Sequence, residues 1–209
     1  METSTGPGRA ASAWVRAVLR VSDAAADLVR VVAAAGLVWA VATGTLADVA
    51  VFAVVLVVVL VPRLTALPRP VDAAVAISWT VAGWANVLGL YVAVPWIDIP
   101  VHATTPGATA AAVYLLLARA GLVGGLHEPG TRRAAIVVAT TAVGTMLAVL
   151  WEFYEWPLYH GAGPPVVGYD DTVLDLLMGT LSSVVAGVCL AIWSASGRGT
   201  ERLALRDGR

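Results

Sequence analysis

Residues 151–156 carry the sequence Trp-Glu-Phe-Tyr-Glu-Trp, and residues 168–176 carry Gly-Tyr-Asp-Asp-Thr-Val-Leu-Asp-Leu. The first stretch places its glutamates at the end of a long apolar run, and the second places its aspartates at the start of the next run. Carboxylates are rare inside membrane segments, and those found there face other helices or a wet cavity. The two stretches therefore predict neighbouring membrane helices that share an acidic site.

The composition is typical of an integral membrane protein. The 209 residues are 59% hydrophobic and only 13% charged, whereas a soluble domain carries roughly 25% charged residues. The formal net charge of −1 indicates no nucleic-acid partner. The fold class predicted is an all-α membrane bundle whose immediate partners are membrane lipids.

The apolar segments predict a bundle of six transmembrane helices with a tail at each end. A span needs about 20 residues. Residues 1–27 are expected to be a tail whose part 11–27 forms a short amphipathic surface helix or an ordinary basic lead-in, and residues 195–209 a basic tail. A cleaved signal peptide is the alternative for the first apolar run, but its removal would leave an odd number of spans. The predicted spans cover residues 28–44, 46–61, 71–94, 97–119, 134–158 and 172–194.

The arginines predict the orientation of these spans. All thirteen basic residues are Arg. They fall in the N-terminal segment, the second-to-third connection, the fourth-to-fifth connection and the C-terminal tail, and the alternate connections hold none. Because positively charged loops stay in the cytoplasm, both termini are predicted to be cytoplasmic. With its richness in Ala and Val, the chain is typical of a GC-rich bacterium, which predicts the bacterial cytoplasmic (inner) membrane.

Acidic residues and one histidine lie at matching depth near the outer ends of the last three spans. The fourth span carries Asp98 and His102, at i and i+4, and the fifth carries Glu152 and Glu155, at i and i+3. The sixth carries Asp171 and Asp175, at i and i+4, preceded by Asp170. Residues at these spacings share a helix face. Each span therefore offers a pair of ligands or proton carriers to one side, and Asn86 and Tyr169 are expected to contribute to substrate binding with Asp170.

Small residues predict how the last two spans meet. Positions 175, 179, 183 and 187 hold Asp-Gly-Ser-Gly, and positions 140, 144, 148 and 152 hold Thr-Gly-Ala-Glu. Small residues at four-residue intervals let membrane helices approach closely. The acids therefore continue the predicted packing surface, with Asp175 as the expected partner of Glu152 and His102 as the third corner. Pro106 is expected to kink the fourth span below His102.

Clustered carboxylates at low dielectric need a counter-charge. The outer half of the chain offers no Arg or Lys, so protons, a metal ion or a cationic ligand remain. A divalent metal would use ligands from Asp98, His102, Glu152, Asp171 and Asp175. Acid–base chemistry would instead use Glu152, Glu155, Asp175 and His102. The alternative for Asp98, Asp170 and Asp171 is a structural role as helix caps.

The motifs at 151–156 and 168–176, with Asp-x-x-x-His at 98–102, resemble the signature of the YjdF-like bacterial inner-membrane proteins. A fainter similarity connects them to the VanZ-like membrane proteins, which are associated with glycopeptide resistance and the cell envelope. The resemblance covers roughly residues 95–190 and implies a shared fold and site without a defined reaction. Gly179 departs from it, because these groups are expected to carry Asn or Asp there.

Three functions fit these patterns. The first is a binding or catalytic membrane protein that acts on an envelope or lipid-linked substrate, with a divalent metal as the candidate cofactor. The second is a proton- or cation-coupled transporter, and the third is a non-catalytic envelope scaffold. The first is favoured, because a permeation pathway should leave ionisable residues across the full depth of the membrane.

Overall fold

The computed structural model describes residues 7–160 and 168–196, with side chains described from residue 21 onward except at positions 95 and 157–160. The described residues form helices and contain no strand, which confirms the all-α fold class. Residues 197–209 of the predicted basic tail lie outside the described residues. The helices are α1 Pro7–Thr43, α2 Leu46–Leu64, α3 Arg69–Val87, α4 Leu90–Ala93, α5 Asp98–His102, α6 Thr105–Arg119, α7 Arg133–His160 and α8 Tyr169–Ala195.

Five described segments are long and apolar enough to cross a membrane. They are Val21–Thr43, Leu46–Leu64, Asp98–Arg119, Arg133–Trp156 and Tyr169–Ala195. Helix α3 is as long as α2 but is not among them, because it carries Arg69, Asp72 and several hydroxyl side chains. Three of its polar side chains are nevertheless shielded from the surroundings of the bundle, because Asp72, Ser78 and Thr80 are buried against other helices.

The N-terminal part differs from the prediction. A tail over 1–27, whose part 11–27 forms a short amphipathic surface helix or an ordinary basic lead-in, and a first span over 28–44 were predicted, whereas α1 is one continuous helix from Pro7 to Thr43. The Ala-rich sequence between these parts contains neither proline nor a run of glycines that would interrupt it. A tight turn joins α1 to α2: Gly44 follows α1, and Thr45 caps α2 in a reciprocal pair of hydrogen bonds with Asp48.

The third predicted span, 71–94, is interrupted in the structure. Helix α3 ends at Val87, and Gly89 takes a left-handed conformation with φ of 66°. The short helix α4 and a 3-10 turn over Pro95–Ile97 then lead into α5. Left-handed φ values are readily adopted only by glycine, so Gly89 supplies the turn that separates α3 from the segment leading to Asp98.

The fourth predicted span, 97–119, is divided into α5 and α6. Helix α5 stops at His102, and α6 starts at Thr105 with Pro106 in its first turn. A proline has no backbone N–H, and its ring collides with the carbonyl four residues earlier, here that of His102. The predicted kink at Pro106 is therefore a complete break directly below His102.

The predicted packing of the last two spans is confirmed. Helices α7 and α8 are in extensive contact, and α6 packs against both. A Cβ atom on Gly144 would lie 1.9 Å from the Ser183 hydroxyl oxygen, and one on Gly179 would lie 2.9 Å from the Ala148 Cβ. Larger side chains at either glycine would force α7 and α8 apart. We call this contact surface the α7–α8 seam; its buried residues include Thr140, Gly144, Ala148, Glu152, Asp175, Gly179, Ser183 and Gly187.

An ion-pair network joins α1, α2 and α3. Arg30 is 7% exposed, donates to the Val59 carbonyl at 3.0 Å and pairs with Asp72, which is 0% exposed. Asp27 accepts from both Arg30 and Arg63, and Arg69 forms a two-bond pair with Asp23. Arg30, near the start of the predicted first span, is therefore a buried link between helices.

Candidate functional site

The break between α5 and α6 places two polar side chains of α5 inside the bundle. Asp98 opens α5 and His102 closes it one turn later. The His102 Nε2 atom lies 3.3 Å from the Asp98 Oδ1 atom. An acid in the first turn of a helix is favoured by the backbone dipole. Asp98 therefore both stabilises the first turn of α5 and contacts the His102 imidazole.

Helix α8 supplies the third member of the group. The Asp175 Oδ1 atom lies 3.8 Å from the His102 Nδ1 atom, and Asp175 is 3% exposed. One ligand atom from each of Asp98, His102 and Asp175 can be chosen so that all lie within 4.8 Å of one another. We refer to these residues as the His102 cluster. Its imidazole stands between carboxylates from different helices, each facing a different ring nitrogen.

Close packing of α6 on α8 sets this geometry. The Gly107 backbone N–H donates to the Ser182 hydroxyl oxygen at 3.0 Å, and that hydroxyl donates to the Gly179 carbonyl at 3.0 Å. A Cβ atom on Gly107 would lie 2.5 Å from the Ser182 carbonyl oxygen. Because this neighbour is backbone, only glycine fits there without a shift of a helix. Gly179, the position that departs from the resembled families, also has a packing role, because a Cβ atom there would lie 2.9 Å from the Ala148 Cβ.

The glutamates of α7 lie beside the His102 cluster without joining its ligand atoms. Glu152 is buried on the α7–α8 seam and interacts electrostatically with His102 and Asp98. Glu155 also lies in electrostatic range of His102 and Glu152. Glu152 is also within electrostatic range of Asp175. Glu152 is thus a neighbour of the cluster, and the described residues offer no other metal-ligand group of three.

The other expected site residues lie farther from this centre. Asp171 is exposed, although it interacts electrostatically with Asp98 and His102. Asp170 is exposed, and Tyr169 is 83% exposed at the first residue of α8. Asn86 is exposed near the end of α3. On α8 the structure therefore brings Asp175 into the cluster and leaves Tyr169, Asp170 and Asp171 outside it.

Aromatic side chains of α3 and α7 pack against one another, a contact that the sequence pattern did not predict. Trp79 of α3 packs edge-on against Trp151 of α7 at a centroid distance of 6.0 Å, and its indole N–H donates to the Thr109 hydroxyl of α6. Trp151 also packs against Tyr154 at 5.7 Å. A Trp near a span end is typical of an interfacial anchor, whereas Trp151 packs against a tryptophan of another helix. The pairing with Trp79 depends on the tertiary contact between α3 and the α6–α7 pair.

The His102 cluster suits metal binding or proton transfer. Tetrahedral zinc bonds of about 2.0–2.2 Å place neighbouring ligands about 3.3–3.6 Å apart, and the Asp175 Oδ1 and His102 Nδ1 atoms are 3.8 Å apart. A histidine between carboxylates can also hold or pass a proton. Among the described arginine side chains, ion pairs are made only with Asp23, Asp27 and Asp72, remote from this site. The counter-charge expected from the sequence is therefore not supplied by an arginine.

Comparisons with known proteins place the chain in a membrane-protein family. No curated protein and no solved structure is detectably similar to it. The model of one family, described as "Predicted membrane protein (DUF2238)", matches residues 25–196, which contain the whole His102 cluster and the α7–α8 seam. Because this match covers most of the 209 residues, the chain belongs to that family of membrane proteins.

Proposed function

We propose that this protein binds a divalent metal ion at the His102 cluster and acts on the polar head of an envelope or lipid-linked substrate. The observation that carries the proposal is the buried imidazole of His102 between Asp98 and Asp175. Buried carboxylates without an arginine need a cation or bound protons to offset their charge. A divalent metal ion offsets two carboxylates at once.

The imidazole geometry divides the roles of the carboxylates. One metal ion cannot bind both ring nitrogens of His102, because they point in different directions. Histidine ligands usually donate their second N–H to a carboxylate, which fixes the ring. Asp98, on the same helical turn, suits that orienting role, and Asp175 with the Nδ1 atom suits the metal. One imidazole with carboxylates favours Mn²⁺, Fe²⁺ or Zn²⁺. Glu152 and Glu155 are the neighbouring groups for further coordination or acid–base work.

The proposal includes six spans, cytoplasmic termini and an outward-facing site in the bacterial cytoplasmic membrane. Helix α3 supplies the sixth span: its 19 residues extend about 28 Å at 1.5 Å per residue, close to the hydrocarbon thickness of about 30 Å. The arginine pattern supports the orientation. Kinship with the YjdF-like group rests on the motifs at 151–156 and 168–176.

Cysteine labelling tests the orientation. In a Cys189→Ala background, Gly125→Cys is expected to react with a membrane-impermeant maleimide only after the cells are permeabilised, because the α6–α7 connection is assigned to the cytoplasm. Thr45→Cys, in the α1–α2 connection, is the matched control and is expected to react in intact cells. The opposite pattern would reverse the orientation, and labelling of both in intact cells would remove the six-span arrangement.

Metal analysis tests whether the protein binds a divalent metal ion. Protein stripped with a chelator is expected to take up about one equivalent of Mn²⁺ or Zn²⁺. Because a ligand at 100 times its Kd stabilises the folded state by about 2.7 kcal/mol, the thermal midpoint should rise on addition of the metal. Elemental analysis and thermal unfolding in detergent are the measurements. Protein that neither retains metal nor changes its midpoint would refute a metal site.

The bridging imidazole also favours a second function, a proton-coupled transporter in which Asp98, His102 and Asp175 relay a proton. Proteoliposomes with an internal pH dye separate the two functions. Collapse of an imposed pH gradient, lost in His102→Gln, would support transport and contradict the metal-dependent function. A gradient that persists in the wild-type protein would exclude transport.

A further inference from the structure

A cavity of about 610 Å³ lies where the α6–α7 connection, residues 120–132, meets the adjoining ends of α6 and α7. We call it the α6–α7 cavity; its lining includes Tyr114, Glu128, Arg132, Ala135 and Ala139. Sites for small ligands commonly measure roughly 300–1,000 Å³. The His102 cluster belongs to the other end of these spans, so this cavity is a separate candidate site.

The connection that forms the rim of the cavity is fastened to two helices. The Tyr114 hydroxyl of α6 donates to the Gly124 carbonyl at 2.7 Å, and the Ser194 hydroxyl of α8 donates to the Leu126 carbonyl. The Leu126 side chain is buried in the apolar core. Because the rim is held before a ligand binds, binding costs little further conformational freedom.

Arg132 gives the cavity a positive charge that the protein does not offset. Arg132 is exposed, and its side chain has no ion-pair or hydrogen-bond partner among the described residues. Glu128 also lines the cavity, but its carboxylate accepts the Gly125 N–H at 2.8 Å and forms no ion pair with Arg132. Arg119, at the end of α6, is by contrast engaged by two carbonyls of the α2–α3 connection. A guanidinium without a carboxylate partner suits a phosphate, which it binds through parallel N–H donors.

The cavity crosses the boundary between the connection and the membrane span of α7. Arg132 immediately precedes the span Arg133–Trp156, whereas Ala135 and Ala139 belong to it. Ala139 lies about 9 Å along α7 from the first residue of the span, at 1.5 Å per residue. An arginine at the level of lipid head groups, beside an apolar wall that continues toward the acyl chains, matches an amphiphilic anion. A soluble phosphate would explain the arginine but not the wall.

We propose that the α6–α7 cavity binds the phosphate head of one anionic phospholipid from the leaflet at this end of the bundle. The phosphate accepts hydrogen bonds from the Arg132 guanidinium, and N–H groups in the first turn of α7 add further donors. The glycerol and the start of one acyl chain lie against Ala135 and Ala139. Basic pockets between membrane helices bind anionic lipid head groups in this way. The inference goes beyond the proposed function and does not depend on it, because the cavity contains no residue of the His102 cluster.

Lipid titration of the full-length protein in detergent, followed by native mass spectrometry, tests the charge. The probes are anionic phosphatidylglycerol and zwitterionic phosphatidylcholine with identical acyl chains. The first phosphatidylglycerol is expected to bind about five-fold more tightly, the effect of one arginine near an anionic lipid surface. Arg132→Gln should remove this preference, while Arg133→Gln, the same charge change outside the lining, should keep it. Equal affinities of the two lipids in the wild type, or a preference that survives in Arg132→Gln or is lost equally in Arg133→Gln, would overturn the proposal.

A second pair of variants tests the apolar wall and separates a lipid from a soluble anion. Ala135→Trp should fill the cavity without changing any charge and weaken phosphatidylglycerol binding at least about three-fold, while Ala134→Trp, exposed and outside the lining, should not. Glycerol phosphate should compete only at about 100-fold or higher concentration, because it lacks the buried acyl carbons. Unchanged binding in folded Ala135→Trp, or competition at the concentration of the lipid, would overturn the lipid as occupant. Chelator-stripped protein is used throughout, so a failure of metal binding leaves this result unaffected.

Discussion

Replacing Asp72 by Asn is expected to lower the free energy of unfolding by about 3–5 kcal/mol, because it leaves the Arg30 guanidinium buried without its fully buried partner. Arg30 is 7% exposed and Asp72 is 0% exposed. Arg30 keeps Asp27 and the Val59 carbonyl as partners. Asp27, however, is shared with Arg63 and lies toward solvent, so it compensates only in part. Thermal and denaturant unfolding in detergent measure the loss.

Two matched variants show whether burial causes this effect. Arg63→Gln breaks a pair whose side chains are 39% and 43% exposed, and exposed pairs contribute at most about 1 kcal/mol. Arg30→Met combined with Asp72→Leu removes both buried charges and is expected to be much closer to wild type than Asp72→Asn. A loss in Asp72→Asn no larger than that in Arg63→Gln would contradict a structural role for the buried pair.

Replacing Asp175 by Asn is expected to abolish metal binding, with an affinity loss of at least about 100-fold, because it removes the carboxylate facing the His102 Nδ1 atom. Asp98→Asn is expected to weaken binding by about 10–100-fold, the usual effect of losing the group that orients a histidine ligand. Asp98 faces the other nitrogen, so the metal-binding atoms persist in that variant. The order of the two losses separates a ligand from an orienting residue.

Calorimetric titration of chelator-stripped variants with Mn²⁺ or Zn²⁺ measures these affinities. Asp170→Asn is the control on α8, because Asp170 is exposed and lies outside the cluster. It should bind metal like the wild type. If Asp98→Asn abolishes binding while Asp175→Asn only weakens it, the assignments of the carboxylates are reversed. Equal affinities in all variants would place any bound metal elsewhere.

The sequence predicted the α7–α8 seam because the signal is local. A helix repeats every 3.6 residues, so small residues four apart must lie near one face. Gly144 and Gly179 on such faces predicted close approach, and the structure has it. The same reasoning placed Glu152 and Asp175 on the seam. Pro106 likewise predicted a local kink, because the missing N–H and the ring clash need no tertiary context.

The helical repeat did not predict contacts between residues that come from distant parts of the chain. Arg30 lies near the start of the predicted first span, and only the packing of α1 on α3 shows that it meets Asp72. Helix α3 was predicted as part of an uninterrupted span, and its polar residues are explained only by the helices around it. The aromatic pair of Trp79 and Trp151 has the same origin. Spacing within a helix carries no information about which other helix it faces.

The sequence by itself determined the all-α membrane bundle and the seam, and it predicted the acids near the ends of the last three spans, since these follow from hydropathy and the helical repeat. The tertiary structure alone decided that Asp98 and Asp175, rather than Glu152 and Asp171, flank His102. The reason is geometric. The break after α5 sets the direction of the imidazole. The close contacts of Gly107 with Ser182 and of Gly179 with Pro106 set which turn of α8 faces the imidazole.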